Sequence, residues 1–402
     1  MNESLRYLDW AATSAIRPPA VRQAMADYLE TIGATPGRGG HRFALEAGRV
    51  ALRCRQAIAT ILNIPGDTGR IAFMFNATHG INTAMSGVLH KNDALVVSAF
   101  DHNAVLRCAW KLAAERGIEV RLVPGHRDGT LDMAALERAL VGARLLTINA
   151  ASNVLGTTLD VGALCAAARA AGVLTLVDTA QVAGEIPCDV RAWGADLVSV
   201  TGHKALLGPQ GTGALWVREG VEVEPLLVGG TGGDSMVRTM PREYPDHLEA
   251  GTLNAPGLAG LLAGIQFVLG QGVDAIRRHV SGLKASAHDS ISEIPGIRVL
   301  SPRSPEGAPL VTLVAESVDA GTLAARLDRE FGIMTRSGLH CAPETHRLLG
   351  TDRTGALRLS FGWASRADDA AAVAEAIAAI VRAPSFAGPG QSSHSSAAAD
   401  VT

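Results

Sequence analysis

Between residues 70 and 204 the chain repeats one pattern: a short apolar run, a polar cluster, then an alanine-rich segment with helical spacing. The runs at 70–75, 94–99, 145–150, 174–177 and 196–200 read as strands. Segments 104–115, 133–140 and 161–171 read as helices between them. Short buried strands alternating with helices give a largely parallel sheet covered on both faces. In such a sheet the ligand crevice lies outside the carboxyl ends of the strands. Each run here ends in polar residues: Asn76-Ala77-Thr78-His79, Asp101-His102-Asn103, Ser152-Asn153, Asp178-Thr179-Ala180-Gln181 and Thr201-Gly202-His203-Lys204. These clusters therefore converge on one crevice.

The clusters describe a ligand. A lysine at the end of a buried strand is badly solvated, which lowers its pKa and frees the amine to form a Schiff base. Lys204 has that position; its ordinary reading is a snorkelling surface lysine. Thr78 and His79 open a helix, and a helix amino terminus with a hydroxyl suits a phosphate. Asp178 follows Leu-Thr-Leu-Val, so its carboxylate is buried and needs a cation, such as a protonated pyridine nitrogen. His102 can lie against an aromatic ring, and Asn153 and Gln181 can bond a phenolic oxygen. Taken singly, Asp178 reads equally as a helix cap, Asn153 as a turn residue and His102 as a core histidine. Taken together, phosphate, pyridinium, ring face, phenolate and aldehyde describe pyridoxal 5′-phosphate, which the protein would orient and tune.

Composition narrows the alternatives. A length of 402 residues is ample for a core and too long for one ordinary domain. The net charge of −3 leaves no basic footprint for nucleic acid, and few aromatics are present for base stacking. Five cysteines without CxxC spacing argue against a disulfide framework or a metal site and for a reducing, cytoplasmic setting. The first ten residues lack the basic and apolar regions of a signal peptide. The apolar stretch 258–269 is glycine-punctuated and shorter than the ~20 residues of a membrane span, so it reads as a buried helix.

These residues carry a resemblance. The chain resembles the class V, fold-type I pyridoxal-phosphate enzymes, within them the cysteine desulfurase-like proteins close to group II desulfurases and selenocysteine lyases. The resemblance runs from Tyr7 to about Arg366. Tyr7-Leu8-Asp9-Trp10-Ala11-Ala12-Thr13 is similar to the family's opening segment, with Trp10 where the family usually has asparagine. The resemblance puts Ala77, Thr78, Thr201 and His203 at the cofactor phosphate. It puts His102, Asn153, Asp178 and Gln181 at the ring and makes Lys204 the Schiff-base lysine. The segment Leu248-Glu249-Ala250-Gly251-Thr252-Leu253-Asn254 resembles one whose threonine reaches the phosphate of a neighbouring subunit. It therefore implies a homodimer, with Thr252 as that residue. The glycine-rich stretch 228–239 is placed near the dimer's active-site entrance.

A second stretch, Arg336-Ser337-Gly338-Leu339-His340-Cys341-Ala342-Pro343, follows residues 331–334, which read as a strand. It resembles the catalytic-cysteine loop of group II desulfurases. A thiolate is the nucleophile, and a neighbouring arginine or protonated histidine favours it, so Arg336 and His340 are candidate activators of Cys341. The other four cysteines sit on apolar helical stripes or after a proline and read as small buried hydrophobes. Gly355-Ala356-Leu357-Arg358-Leu359-Ser360 resembles the segment whose arginine clamps a substrate carboxylate, a task suited to a guanidinium fork. The alternative for Arg358 is a solvated structural ion pair.

The order of elements, with the resemblance, gives a large α/β domain over 18–255 and a small α+β domain from 1–17 plus 256–383. A low-complexity, disordered tail follows over 384–402. Within the small domain, 256–291 reads as a helical bridge. The implied activity is desulfuration of L-cysteine to L-alanine, with Lys204 and His102 moving protons, Arg358, Arg336 and Asn153 holding substrate, and a persulfide on Cys341. A sulfur-acceptor protein is a possible partner. Selenocysteine lyase, C–S β-lyase and other class V aminotransferase-type chemistry compete with it, and a non-catalytic scaffold on the same fold is the third reading.

Overall fold

The computed structural model describes residues 5–37, 39–231, 236–304 and 306–382. The tail over 384–402 and part of the glycine-rich stretch 228–239 lie outside the described residues. In chain order the first elements are β1 (Arg6–Tyr7), α1 (Pro19–Thr31), α2 (Arg42–Ile61), β2 (Ile71–Met74), α3 (Ala77–Val88) and β3 (Ala94–Ser98). Next come α4 (Asn103–Arg116), β4 (Glu119–Val123), α5 (Met133–Leu140), β5 (Leu145–Asn149), α6 (Val161–Ala170), β6 (Leu174–Asp178), α7 (Val190–Trp193), β7 (Leu197–Thr201) and β8 (Gly213–Val217). The chain continues with α8 (Ala255–Gln271), α9 (Val273–Ser292), β9 (Ile297–Val299), β10 (Leu310–Ala315) and α10 (Ala320–Phe331). It closes with β11 (Ile333–Met334), β12 (Arg336–Gly338), α11 (Pro343–Leu349), β13 (Ala356–Ser360) and α12 (Asp369–Arg382).

The expected α/β architecture is present. A seven-stranded sheet runs in the order β2-β8-β7-β6-β5-β3-β4. Strands β4, β3, β5, β6 and β7 are mutually parallel, and β8 runs antiparallel to both β7 and β2. Alternation along each strand divides the core in two. Val96, Ile148, Val177 and Val198 pack to one side with Ile58 of α2, Leu164 of α6 and Leu261 of α8. Leu95, Val97, Leu176 and Leu197 pack to the other with Ile81 and Met85 of α3 and Leu112 of α4. Each such fully buried side chain contributes roughly 1.5–3 kcal/mol relative to exposure. A four-stranded antiparallel sheet, β12-β13-β10-β9, carries α9, α10 and α12.

The amino-terminal segment ties the two sheets together. β1 pairs with β11, Ser360 N–H donates to Leu8 O, and Arg6 reaches Asp369. A few residues later Ser14 N–H donates to His203 O (2.9 Å) and Ser14 Oγ donates to Lys204 O (2.8 Å). The same short stretch therefore holds the small sheet on one side and the lysine loop on the other.

Several readings need correction. Residues 331–334 are not one strand: Phe331 ends α10, Gly332 caps it at φ +67, and only Ile333–Met334 is extended. The helical bridge over 256–291 is two helices, broken at Gly272 and bent by 80°. Among the described residues no single helix is long and apolar enough to cross a membrane. Trp10, which stands where the family usually has asparagine, is 4 % exposed, donates from Nε1 to Tyr7 O, and fills space that Gly362 leaves by lacking a side chain.

The turn after β3 holds a buried acid. Asp101 is fully buried; Ser98 N–H and Thr147 Oγ1 donate to its Oδ2, and Oδ1 has no partner. Burial pushes its pKa up to about 7. In the unfolded chain an aspartate titrates near ~4, so between these values the folded state holds a proton that the unfolded state has lost. The resulting stability is complete below the lower value and is lost as pH rises through the upper one.

Two outcomes are expected. Asp101→Asn mimics the protonated acid, so its urea midpoint gains on wild type as pH rises from about 4 to about 7. An unchanged difference contradicts this. A Cβ at Gly213 would lie 2.6 Å from Val200 O and 2.8 Å from Asn76 Cα. Gly213→Ala therefore costs roughly 1–3 kcal/mol by overpacking, read from urea unfolding.

Candidate active site

The carboxyl ends of β5, β6 and β7, the amino terminus of α3 and the β12–α11 loop enclose a cleft of about 260 Å³. Every residue singled out for the site lines it except Thr252. Thr252 is exposed and borders a separate depression with Arg55 and Glu249.

Lys204 follows β7 in a loop stitched by three backbone bonds: Gly202 N–H to Thr212 O, Gly208 N–H to Gly202 O, and Leu207 N–H to Lys204 O. Its backbone is fixed, but its ammonium makes no hydrogen bond or ion pair among the described residues. Desolvation lowers its pKa to about 8, against the pull of Asp178. A substantial neutral fraction at neutral pH is the form that attacks an aldehyde.

Asp178 ends β6, and its Oδ1 accepts from Ala180 N–H at 2.9 Å. Burial pushes its pKa up, and the Lys204 ammonium pulls it back. No described residue forms an ion pair with it, so this buried carboxylate faces the cleft without a bonded cation. His102 is the N-cap of α4, and its Nδ1 accepts from Ala104 N–H at 3.0 Å. The neutral ring then carries its proton on Nε2. Burial, then the charges of Lys204 and Arg358, hold its pKa down at about 4. Gln181 Nε2 donates to Ala11 O, and Asn153 Nδ2 donates to His340 O while Asn153 Oδ1 is buried without a partner.

At the other end of the cleft, Asn76 caps α3 by accepting from His79 N–H. The Ala77 and Thr78 N–H groups have no carbonyl partner within the helix, as the first turn of any helix leaves them. Thr201 Oγ1 is buried without a partner, and His203 Nδ1 lies 3.0 Å from Thr13 Oγ1. Burial holds His203 at a pKa of about 4, so it is neutral. Free amides, a helix dipole and an unused hydroxyl make an anion site.

Cys341 is exposed and borders the cleft, whereas Cys54, Cys108, Cys165 and Cys188 are buried. Arg336 and Arg358 stand directly opposite each other on β12 and β13. Like charges across a ladder repel, so their pairing implies an anion between them or beside them. Arg358 is 2 % exposed, donates to Asp9 Oδ1 and to Asn153 O (both 3.0 Å), and keeps Nε without a partner. It is thus not the solvated pair weighed as its alternative. The expectation that a protonated His340 activates Cys341 needs correction. Burial, then Arg358 and the neighbouring His346, holds its pKa down at about 3, and the ring is neutral.

Sequence reasoning missed Asp9 as the partner of Arg358, Thr13 and Ser14 as clamps on the lysine loop, and the His346–Thr351 pair behind Cys341. The first three lie in the quoted opening segment or next to it, but only the fold brings them near residues 203–358. The last pair stands on either side of Gly350, which caps α11.

Residues 6–373 match the model of the aminotransferase class-V family. A probable cysteine desulfurase of Methanothermobacter thermautotrophicus is 35 % identical over 359 residues, 87 % of this chain and 88 % of that protein. A cysteine desulfurase of Serratia proteamaculans is 33 % identical over 85 % of each chain. Among solved structures, the apo cysteine desulfurase of Thermococcus onnurineus superposes with a TM-score of 0.88 at 29 % identity, covering 94 % of both chains. The Escherichia coli cysteine desulfurase CsdA, in its S-sulfonic acid form, gives 0.84 at 27 % identity with the same coverage. With this fold, this cleft and these likenesses, the chain belongs to the aminotransferase class-V family, on its cysteine desulfurase-like branch.

Proposed function

We propose that this protein is a pyridoxal-phosphate-dependent cysteine desulfurase that converts L-cysteine to L-alanine and takes the sulfur onto Cys341. The observation that carries the reading is one cleft holding an unpartnered, desolvated lysine, an exposed cysteine and two facing arginines. Its buried atoms without partners fit the cofactor. Asp178 offers a carboxylate for the pyridine nitrogen, and the α3 amino terminus with Thr201 and His203 offers a phosphate site. His102 suits the ring face, and Gln181 and Asn153 suit the ring oxygen. When bound, pyridoxal phosphate supplies a covalent handle for an amino acid and an electron sink for its α-carbon.

The chain's own groups account for the rest. Arg358, with Arg336, holds the substrate carboxylate through the donors that Asp9 and Asn153 leave free. Asp178, whose ionised form the Ala180 N–H and Lys204 favour against burial, offers its carboxylate to positive charge in the cofactor ring. The Lys204 amine takes the α-proton; a well-placed base contributes ~10²–10⁴-fold. His102 presents Nε2–H and serves as a donor. The Cys341 thiolate attacks the substrate sulfur: its Sγ–S bond forms as the substrate C–S bond breaks. Substrate plus thiol becomes alanine plus persulfide, so no outside oxidant or reductant is needed.

We further propose the assembly that this chemistry suits. The chain would act as a homodimer in which Thr252 serves the phosphate of the other copy's site. The cleft would lie between a large domain over 18–255 and a small one formed by 1–17 and 256–383. A reducing cytoplasm would keep Cys341 free, and a sulfur-acceptor protein or small thiol would discharge it.

Product analysis with L-cysteine and L-selenocysteine tests the reading, with wild type beside Cys341→Ala. Wild type yields alanine from cysteine, and the variant loses that yield by more than ~10²-fold because its nucleophile is gone. Undiminished alanine from cysteine in the variant sinks the persulfide mechanism. Alanine from selenocysteine alone favours a selenocysteine lyase, and pyruvate with ammonia favours a β-lyase. Arg358→Lys keeps the charge but loses the planar fork, so kcat/KM for cysteine falls by roughly 10–100-fold, mainly through KM.

A further inference from the structure

We infer that His346 and Thr351 are positioning residues for Cys341, acting through the ring of His340. The inference rests on the proposed function for the thiol's task, while the hydrogen-bond chain stands on geometry alone. His340 and Cys341 are both non-glycine residues at positive φ, +48 and +59. Left-handed backbone at such residues is costly and persists only where its surroundings enforce it.

The front of the loop is held from the large sheet. Asn103 N–H donates to Cys341 O at 2.7 Å, and Asn153 Nδ2 donates to His340 O. Ala342 N–H donates to Leu339 O at 2.9 Å and closes the turn through residues 340 and 341, and side chains brace that turn from behind. His340 Nε2 lies 3.4 Å from Arg336 O, and His340 Nδ1 lies 3.2 Å from His346 Nε2. His346 Nδ1 lies 2.8 Å from Thr351 Oγ1. His340, His346 and Thr351 are at most 5 % exposed.

One proton order satisfies the whole chain. Arg336 O only accepts, so His340 carries its proton on Nε2 and accepts at Nδ1. His346 then donates from Nε2, and its Nδ1 accepts the Thr351 hydroxyl. The chain spans from the end of α11 to the carbonyl of β12, bracketing the loop that carries Cys341. Both rings are neutral. Burial is the main cause, helped by Arg358 and His346 at His340 and opposed by Asp352 at His346, which is lowered to about 4. The order therefore persists through the neutral range. Release of the chain lets residues 340 and 341 relax toward ordinary φ, which moves Cys341 away from the arginine-lined cleft.

The test uses the full chain without cofactor and iodoacetamide as the probe, with alkylation of the Cys341 peptide followed by mass spectrometry. The other four cysteines are buried. His346→Leu and Thr351→Val should slow alkylation at Cys341 by ~5-fold or more, because thiolate chemistry depends on nearby cations. His346→Gln retains an N–H near the Nε2 position and should recover most of the rate. Near-ultraviolet circular dichroism checks that each variant is folded; if the leucine variant is not, the valine and glutamine variants carry the test. Wild-type rates in the leucine and valine variants, or a glutamine variant as slow as the others, overturn the inference. Alkylation needs neither cofactor nor turnover, so its outcome is separable from that of the product analysis.

Discussion

The partial burial of the Lys204 amine, without a bonded partner, governs the chemistry of this cleft. A lysine on an ordinary surface stays protonated and inert. Here the amine hangs from a loop whose backbone is tied internally and to Thr13, Ser14 and Arg17, which hold the loop in place. Desolvation then does what a catalytic base would otherwise have to do. Its pKa of about 8 is set first by desolvation, with Asp178 and Cys341 raising it and Arg358 and Arg336 lowering it.

Charge in the cleft is divided between the two sheets. Asp178 lies at the sheet end, with burial opposing its ionisation and Lys204 favouring it. Arg358 and Arg336 form the opposite wall, brought face to face by an antiparallel ladder. The three cleft histidines, His102, His203 and His340, are held neutral chiefly by burial, with Arg358 and Arg336 adding to it at His102 and His340 and Lys204 and Arg17 at His203. The cleft therefore offers one ionisable base and one thiol together with a buried carboxylate and two arginines. That division suits a ligand with a cationic ring at one end and a carboxylate at the other.

What the sequence disclosed was whatever a single element decides. Polar residues after an apolar strand have only the sheet's carboxyl edge to occupy, so Asn153, Asp178 and Thr201 could be placed before any fold was known. What it concealed depends on partners far along the chain. Strand β8 runs antiparallel because the loop carrying Lys204 folds back on itself with no helix between β7 and β8, and β4 alternates charge with apolar residues because it is an edge. Asp9 meets Arg358 across 349 residues, a distance at which no local pattern speaks. His340 looked like an acid beside a thiol, but its neutrality comes from burial and from arginines that only the folded ladder supplies. Trp10, an unusual residue at its place in the opening segment, packs against Gly362, a contact across 352 residues that no local pattern shows.

The central claim is that this amine is the covalent anchor of an aldehyde cofactor. Reconstitution with pyridoxal phosphate, reduction with borohydride and peptide mapping by mass spectrometry test it directly. The account predicts a single pyridoxyl-phosphate adduct on the peptide containing Lys204 and none in Lys204→Ala. Label scattered over surface lysines, or a protein that stays colourless and unlabelled, contradicts it.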